Sequence, residues 1–234
     1  KDSNSVDKKN AITNYMSWVI SQSGFKQEMD KLILDYIDYG NCFATVEWLD
    51  QRVETPEKLQ VGYIGPGIRR ISPLDIVFNP TAESFDRSPK IVRSLISLGE
   101  LKDILTSLTT DENKQDYQDL WDYLMKVRTG VRAFPGDVIQ KDNLYAVDGF
   151  ASFRLYLQSD TVEVLTFYGD IYDTHSQEFL KNQIIMVVDR HKIISKKTNP
   201  SNFGYPPIWH CAWRKRQDNL WGMGPLANLV GMQY

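Results

Sequence analysis

At 234 residues the chain is long enough for one large domain or two modest ones. Its 42% hydrophobic and 24% charged content excludes global disorder, and no apolar run approaches the roughly 20 residues that a bilayer crossing needs. A net charge of −3, from 27 basic and 30 acidic residues, lacks the basic excess of a protein that grips nucleic acid through its phosphates.

The chain opens on "KDSNSVDKKN", polar, without an initiating Met or a secretory apolar segment, and it stops abruptly at Tyr234. We expect a processed chain or the ordered part of a longer one. Ile12, Tyr15, Met16, Val19 and Ile20 predict a first helix. Phe25, Met29, Leu32, Ile33, Tyr36 and Ile37 recur in steps of three and four and predict a second, with Ser23 as its N-cap and Gly40 as its stop. Burying six such side chains would contribute about 9–18 kcal/mol, at 1.5–3 each, so this helix is expected to pack on something.

"NCFATVEWL" then switches to strand-forming residues, and "LQVGYI" reads as its hairpin partner. "GPGIRRISPLDIVFNPTA" is punctuated by Gly65, Pro66, Gly67, Pro73 and Pro80, which predicts short strands bounded by turns. "KIVRSLIS" predicts another strand. "LGELKDILTSL" and "DENKQDYQDLWDYLMKVRTG" predict helices, the second starting near Asp111 and Glu112 and stopping at Gly130. "RAFPGDVIQKDNLYAVDG" reads as an irregular connection. "TVEVLTFYGDIYD", "NQIIMVVDRHKIISKK" and "PPIWHCAWR" predict strands separated by turns. Residues 1–40 are therefore helical, 41–97 rich in strands, 98–130 helical, 131–220 rich in strands, and 221–234 a turn opening a helix. Helices and strands segregated in this way define an α+β protein. No repeat or low-complexity tract is present.

The search for chemistry assigns no catalytic, cofactor-binding or metal-binding residue. Cys42 and Cys211 are too few for a disulfide framework or a four-ligand zinc site; both lie in apolar strand-like runs and read as small buried hydrophobes. Reduced thiols fit an intracellular protein. His175, His191 and His210 show no metal spacing, and His191, after Asp189 and Arg190, belongs to a turn between strands. His210 and its neighbour Cys211 point to opposite faces of a strand and form no thiolate pair. "GPG" and "GMG" lack the third glycine of a dinucleotide fingerprint, and no P-loop motif occurs. Asp116, Asp119 and Asp122 recur every three residues near one helix face, where solvation is a simpler account than a metal. Arg214, Lys215 and Arg216 are candidates for phosphate contact.

The most specified stretch is "DNLWGMGPLANLVGMQY". Gly222 and Gly224 permit close backbone approach, Pro225 suits the first turn of a helix, and Trp221 supplies a large apolar anchor. Leu226, Leu229 and Val230 fall on one face of the helix that follows. The expected result is a rigid corner that launches a helix in a set direction. On "LILDYIDYGNCFATVEWL", on "VEVLTFYGDIYD" with "IIMVVDRHKIISKKTNP", and on "FGYPPIWHCAWRKRQDNLWGMGPLANLVGMQY", the chain resembles the portal (head-to-tail connector) proteins of tailed bacteriophages. These stretches cover about half of the chain, and their order and spacing carry the resemblance.

The resemblance implies the N-terminal wing portion of a subunit whose stem, clip and crown are not represented, and it gives a reason for the chain to break off at a helix start. It implies a dodecameric ring at one capsid vertex that nucleates head assembly, docks the terminase and the neck and tail adaptor proteins, and passes double-stranded DNA. It implies virion localisation, assembly in the host cytoplasm, contact with the major capsid protein, no membrane partner, no cofactor and no enzymatic activity. Trp221, Gly222, Gly224 and Pro225 match the family's turn and carry a structural role. A mildly acidic wall suits sliding DNA, because strong phosphate binding would act as a brake. A ring closed by rotation needs two different surfaces per subunit, for which Phe85, Phe134 and Phe150 are candidates, though each is more simply a core residue. Two other readings stand beside this one. One is a magnesium-dependent nucleic-acid-processing enzyme using Asp116, Asp119, Asp122 and the basic cluster; the other is a capsid or tail protein of another kind.

Overall fold

A computed structural model describes residues 3–54, 59–110, 113–129, 159–174, 177–201 and 204–228. In chain order these form α1 (Ser3–Gln22), α2 (Phe25–Asp38), β1 (Asn41–Glu54), β2 (Leu59–Ile71), β3 (Ile76–Phe78), β4 (Lys90–Ser97), α3 (Leu98–Leu108), α4 (Lys114–Thr129), β5 (Thr161–Asp173), β6 (Glu178–Val188), β7 (Lys192–Thr198), β8 (Ile208–Ala212) and a 3-10 turn, η1 (Pro225–Asn228). One sheet has the order β2-β1-β8 and the other β3-β4-β5-β6-β7. The fold is α+β, as expected. The chain divides into two compact units: residues Lys1–Val92, Tyr168–Asn182 and Asn199–Tyr234 form the first, and Arg93–Phe167 with Gln183–Thr198 form the second. Among the described residues no helix is long and apolar enough to cross a membrane.

In the first unit β1 pairs antiparallel with β2 on one side and with β8 on the other, in registers that set Phe43 opposite both Ile71 and His210. The predicted hairpin is present, but Gly65-Pro66-Gly67 is not a turn: it lies inside β2, with Pro66 opposite Trp48. A strand at the sheet edge tolerates a proline, since an outward N–H has no ladder partner to lose. The flanking glycines leave room for larger neighbours. Added side chains would strike the ring of Tyr63 at Gly65 and the methyls of Leu49 at Gly67. Tyr63 is buried and donates from its hydroxyl to the Pro66 carbonyl at 2.8 Å.

One expectation for α2 is corrected and another holds in part. Ser23 does not cap it: its N–H returns to the Val19 carbonyl of α1 at 2.9 Å, and Gly24, at φ +70°, takes the N-cap position without a side-chain bond. The apolar stripe is inward-facing in part: Phe25, Met29 and Tyr36 are half-buried beside Leu32. Only Leu32 of its six members is buried, while Ile33 and Ile37 are exposed. The inward face also carries Asp35, 4% exposed, whose carboxylate takes a two-pronged contact from Arg70 of β2, Nε to Oδ2 and Nη2 to Oδ1 at 2.6 Å. Glu28, two turns earlier on the same face, accepts the Arg70 backbone N–H at 2.8 Å. Polar pairing and the half-buried part of the stripe together set the rotation of this helix. α1 is longer than the predicted pattern and exposes Ile12, Tyr15, Met16, Trp18 and Ile20.

In the second unit α3 begins with a reciprocal cap: Ser97 Oγ accepts from Glu100 N, and Glu100 Oε2 accepts from Ser97 N at 2.8 Å. Leu101 and Leu105 of α3, with Leu120 and Leu124 of α4, present i, i+4 pairs to Val162, Val164, Val188 and Ile194. Tyr117 ties α4 to β7 by donating to the Ile194 carbonyl at 2.8 Å. The β6–β7 turn falls at the predicted place, with Asp189 at φ 49° and Arg190 at φ 53°. Two left-handed residues suit a tight hairpin, whose twist they match. Arg190 reaches back to Glu163, which is fully buried, through bonds of 2.7 and 2.9 Å. Asp111, Glu112 and Gly130, named as helix ends, lie outside the described residues.

Candidate functional site

The site is a corner in the first unit where the start of β1 meets the Trp-Gly-Met-Gly segment. α2 ends at Asp38 and is capped by Tyr39, whose N–H bonds to the Asp35 carbonyl at 2.9 Å, and Gly40 follows at φ +68°. That left-handed residue turns the chain into β1 and is the stop the sequence indicated. β8 runs beside β1, and the ladder continues one step further through Trp213 N–H to the Gly40 carbonyl at 2.9 Å. The chain then loops out and returns, Met223 N–H bonding to the Arg214 carbonyl at 2.9 Å. Gly222 and Gly224 thereby arrive against Gly40.

The approach leaves no room for side chains. A Cβ on Gly40 would overlap the backbone N and Cα of Gly224, and one on Gly222 would come within 2.6 Å of the Ala212 Cβ and 3.0 Å of the Gly40 carbonyl. This is the close backbone contact that two glycines in this motif predict, and its partner is Gly40.

Asn41, 2% exposed, fastens the contact. Its Nδ2 donates to the Tyr39 carbonyl at 2.8 Å and the Gly222 carbonyl at 3.1 Å. Its Oδ1 accepts from Gly222 N at 2.7 Å and meets His210 Nε2 at 3.0 Å. Since a carbonyl oxygen only accepts, Nε2 carries the imidazole proton. The amide thus uses both donors and both acceptor sites. Burial, and then the charge of Lys215, push His210 down to about 4, so the ring is neutral at pH 7.

An aromatic cluster backs the corner. Phe43, fully buried, stacks on His210 with centroids 4.6 Å apart, and Trp221 lies on Phe78 at 4.9 Å and edge-on to Phe43 at 5.5 Å. Trp221 is the anchor that the sequence predicted. Phe85, a candidate for a subunit surface but more simply a core residue, is 7% exposed and packs edge-on to Phe78 at 5.1 Å: it is core. Phe134, Phe150 and His175 lie outside the described residues. Beyond the corner Pro225 opens η1, with Ala227 N–H bonded to the Gly224 carbonyl at 3.2 Å and Leu226 exposed. Leu229 and Val230 lie outside the described residues.

Arg214, Lys215 and Arg216 sit on the loop that the corner closes. All three are exposed, and Arg216 pairs with Asp218 through bonds of 3.3 and 3.4 Å. Lys215 and Arg216 line a cavity of about 280 Å³ with His210, Glu83 and Asp86, so a phosphate entering it meets carboxylates as well as cations. In the second unit Asp116 bonds to Lys192 Nζ at 3.0 Å, while Asp119 and Asp122 accept from Gln115 and Gln118. Among the described residues no three acidic, His or Cys side chains converge as metal ligands would.

The cysteines are corrected. Cys42 is only partly buried and Cys211 is exposed, and the β1–β8 register sets them opposite one another. Burial first, then the Cys211 sulfur and the Asp35 carboxylate, push the Cys42 thiol up to about 11. Compared with known proteins, the chain matches no family model, and no curated protein matches it.

Proposed function

We propose that this chain is a structural, ring-forming subunit: the wing portion of a tailed-phage portal, enclosing a channel for double-stranded DNA at the capsid vertex. The observation that carries the reading is the corner. Four backbone-to-backbone or side-chain-to-backbone constraints fix the direction in which the chain leaves Gly224, and a subunit that must close a ring with identical neighbours needs such an invariant angle. The exposed apolar residues of α1 support association, and in a closed ring every copy supplies its neighbour with a partner surface.

In this reading the ring also docks the major capsid protein, the terminase and the neck or tail adaptors, is assembled in the host cytoplasm and resides in the virion. Native mass measurement and negative-stain imaging of the full-length protein test it. The expected result is a closed ring with a central hole. A compact monomer overturns the proposal, and magnesium-dependent cleavage of DNA, lost on replacing Asp116, Asp119 and Asp122, would point to an enzyme instead.

A further inference from the structure

We infer that Cys42 and Cys211 are a cross-strand thiol pair that a small-molecule disulfide oxidises reversibly, fastening β8 to β1 directly beside the corner. The pair is specified by register: Asn41 faces Ala212, Cys42 faces Cys211, and Phe43 faces His210. Successive strand residues alternate in direction, so the thiols lie on the sheet face opposite Phe43 and His210. The two groups that close the corner, Asn41 and His210, are their immediate chain neighbours.

Which kind of pair this is follows from the ladder. Trp213 N–H bonds to the Gly40 carbonyl, which makes Gly40 and Trp213 a hydrogen-bonded pair. Such pairs alternate along antiparallel strands, so Cys42 and Cys211, two steps on, are hydrogen-bonded too. Opposed Cβ atoms at such positions stand about 5.5 Å apart, and a disulfide wants about 3.5–4.5 Å. Closing the bond draws the strands together by about 1 Å and stores strain, which makes the product easy to reduce. That is the behaviour of a switchable link rather than a permanent staple.

The accessibility sets the order of events. Cys211 is exposed and meets the reagent first, while Cys42 stays a protonated thiol at neutral pH for the reasons of burial and neighbouring charge given above. The Cys211 sulfur attacks the reagent disulfide RSSR; a Cys211–SR bond forms, the reagent bond breaks, and RS⁻ leaves with the proton that Cys211 lost. The Cys42 sulfur then displaces the second RS⁻, which takes the Cys42 proton. Two cysteines are oxidised by two electrons in total, and one RSSR becomes two RSH.

The test exposes the full chain to oxidised glutathione and reads intact mass and free thiols under non-reducing conditions. The expected result is loss of both thiols with a mass decrease of two hydrogens, no retained glutathione, a Cys42–Cys211 peptide in the digest, and full reversal by a dithiol. Cys42→Ser stops at one glutathione held on Cys211. Slower amide exchange at Trp213 and Gly222 after oxidation shows that the link fastens the corner. Persistence of both thiols, glutathione retained on wild-type Cys211, or a covalent chain dimer through Cys211 each overturns the inference, as does unchanged exchange after the bond has formed.

Discussion

Replacing Asn41 by alanine removes the amide that holds the corner, and the loss can be worked from its four hydrogen bonds. The Tyr39 carbonyl belongs to an exposed residue and can turn to water, so its bond counts for little. The Gly222 N–H, the Gly222 carbonyl and His210 Nε2 each lose Asn41 as a side-chain partner. At about 0.5–1.5 kcal/mol net for each, and toward the upper end where a group is left unsatisfied, the expected loss is about 2–4 kcal/mol. For a chain of this size that lowers Tm by roughly 4–16 °C.

Urea titration gives the global figure, and amide exchange at Gly222 and Met223 gives the local one. Exchange at these amides should accelerate by the factor that the lost free energy sets. A cycle with His210→Phe adds a second check: the two changes share one hydrogen bond, so the double variant should lose about 1 kcal/mol less than the sum of the singles. A loss under about 0.5 kcal/mol with unchanged exchange would refute the reasoning, because it would mean that the glycine contact closes without the amide.

Gly40→Ala and Gly24→Ala separate strain from overlap. Both positions have positive φ, +68° and +70°, but a Cβ at Gly24 meets nothing while one at Gly40 strikes Gly224. Gly24→Ala should cost about 1–2 kcal/mol and Gly40→Ala several more in denaturant unfolding; equal losses would show that the close approach is not felt. His210 is held at about 4, below its ordinary 6.5, so its neutral form belongs to the fold. The stability it contributes is complete above pH 6.5 and is lost as pH falls toward 4; discounted for partial exposure it amounts to about 1–2 kcal/mol, and His210→Phe should flatten the unfolding midpoint across that window. Lys90, 1% exposed, sits 4.4 Å from the Phe85 ring centroid with one bond to the Asp86 carbonyl, and burial pushes it down from 10.5 to about 8. Folding therefore disfavours the ammonium: stability should rise as pH climbs from 8 to 10.5, and Lys90→Met should raise it at pH 7 by about 1–2 kcal/mol and abolish that rise.

Local signals predicted local structure, and they failed where the deciding partner lies far along the chain. The 3.6-residue period of Leu101, Leu105, Leu120 and Leu124 marks α3 and α4 because those side chains do face the second unit's core. The Asp189-Arg190 turn is legible because a polar run interrupts two apolar strand-forming runs, Ile184–Val188 and Ile193–Ile194. Glycine and proline mislead at 65–67, where the same residues that break a buried strand are accepted on an edge next to the bulky Tyr63 and Leu49. The α2 stripe is right for Phe25, Met29, Leu32 and Tyr36 but misses Asp35 beside them, because periodicity does not weigh its cation, Arg70. At the corner, Trp221 and its glycines announce a tight contact, yet Asn41 gives no signal: its partners His210 and Gly222 stand 169 and 181 residues away. The cysteines were misjudged for the same reason. Each looks like a small hydrophobe alone, and only the β1–β8 register makes them a pair.

Asn41, Asp35 and Glu163 do the same kind of work in different places. Apolar side chains occur on both faces of β2, with Ile64 and Ile68 on one and Tyr63 and Ile71 on the other, so burial alone discriminates weakly between registers. A slip of β2 by one residue would turn Arg70 to the far face and leave the Asp35 carboxylate buried without its cation, at about 3–5 kcal/mol. Glu163, fully buried, imposes the same condition on the β6–β7 turn through Arg190, and Asn41 imposes it on the return of the Gly222 segment to β1. Hydrophobic burial supplies most of the free energy of each unit but is less directional than a hydrogen bond. The buried polar groups are directional, because each has its partners satisfied in one alignment only. A corner whose outgoing direction matters would be built from such groups, and it is built from them here.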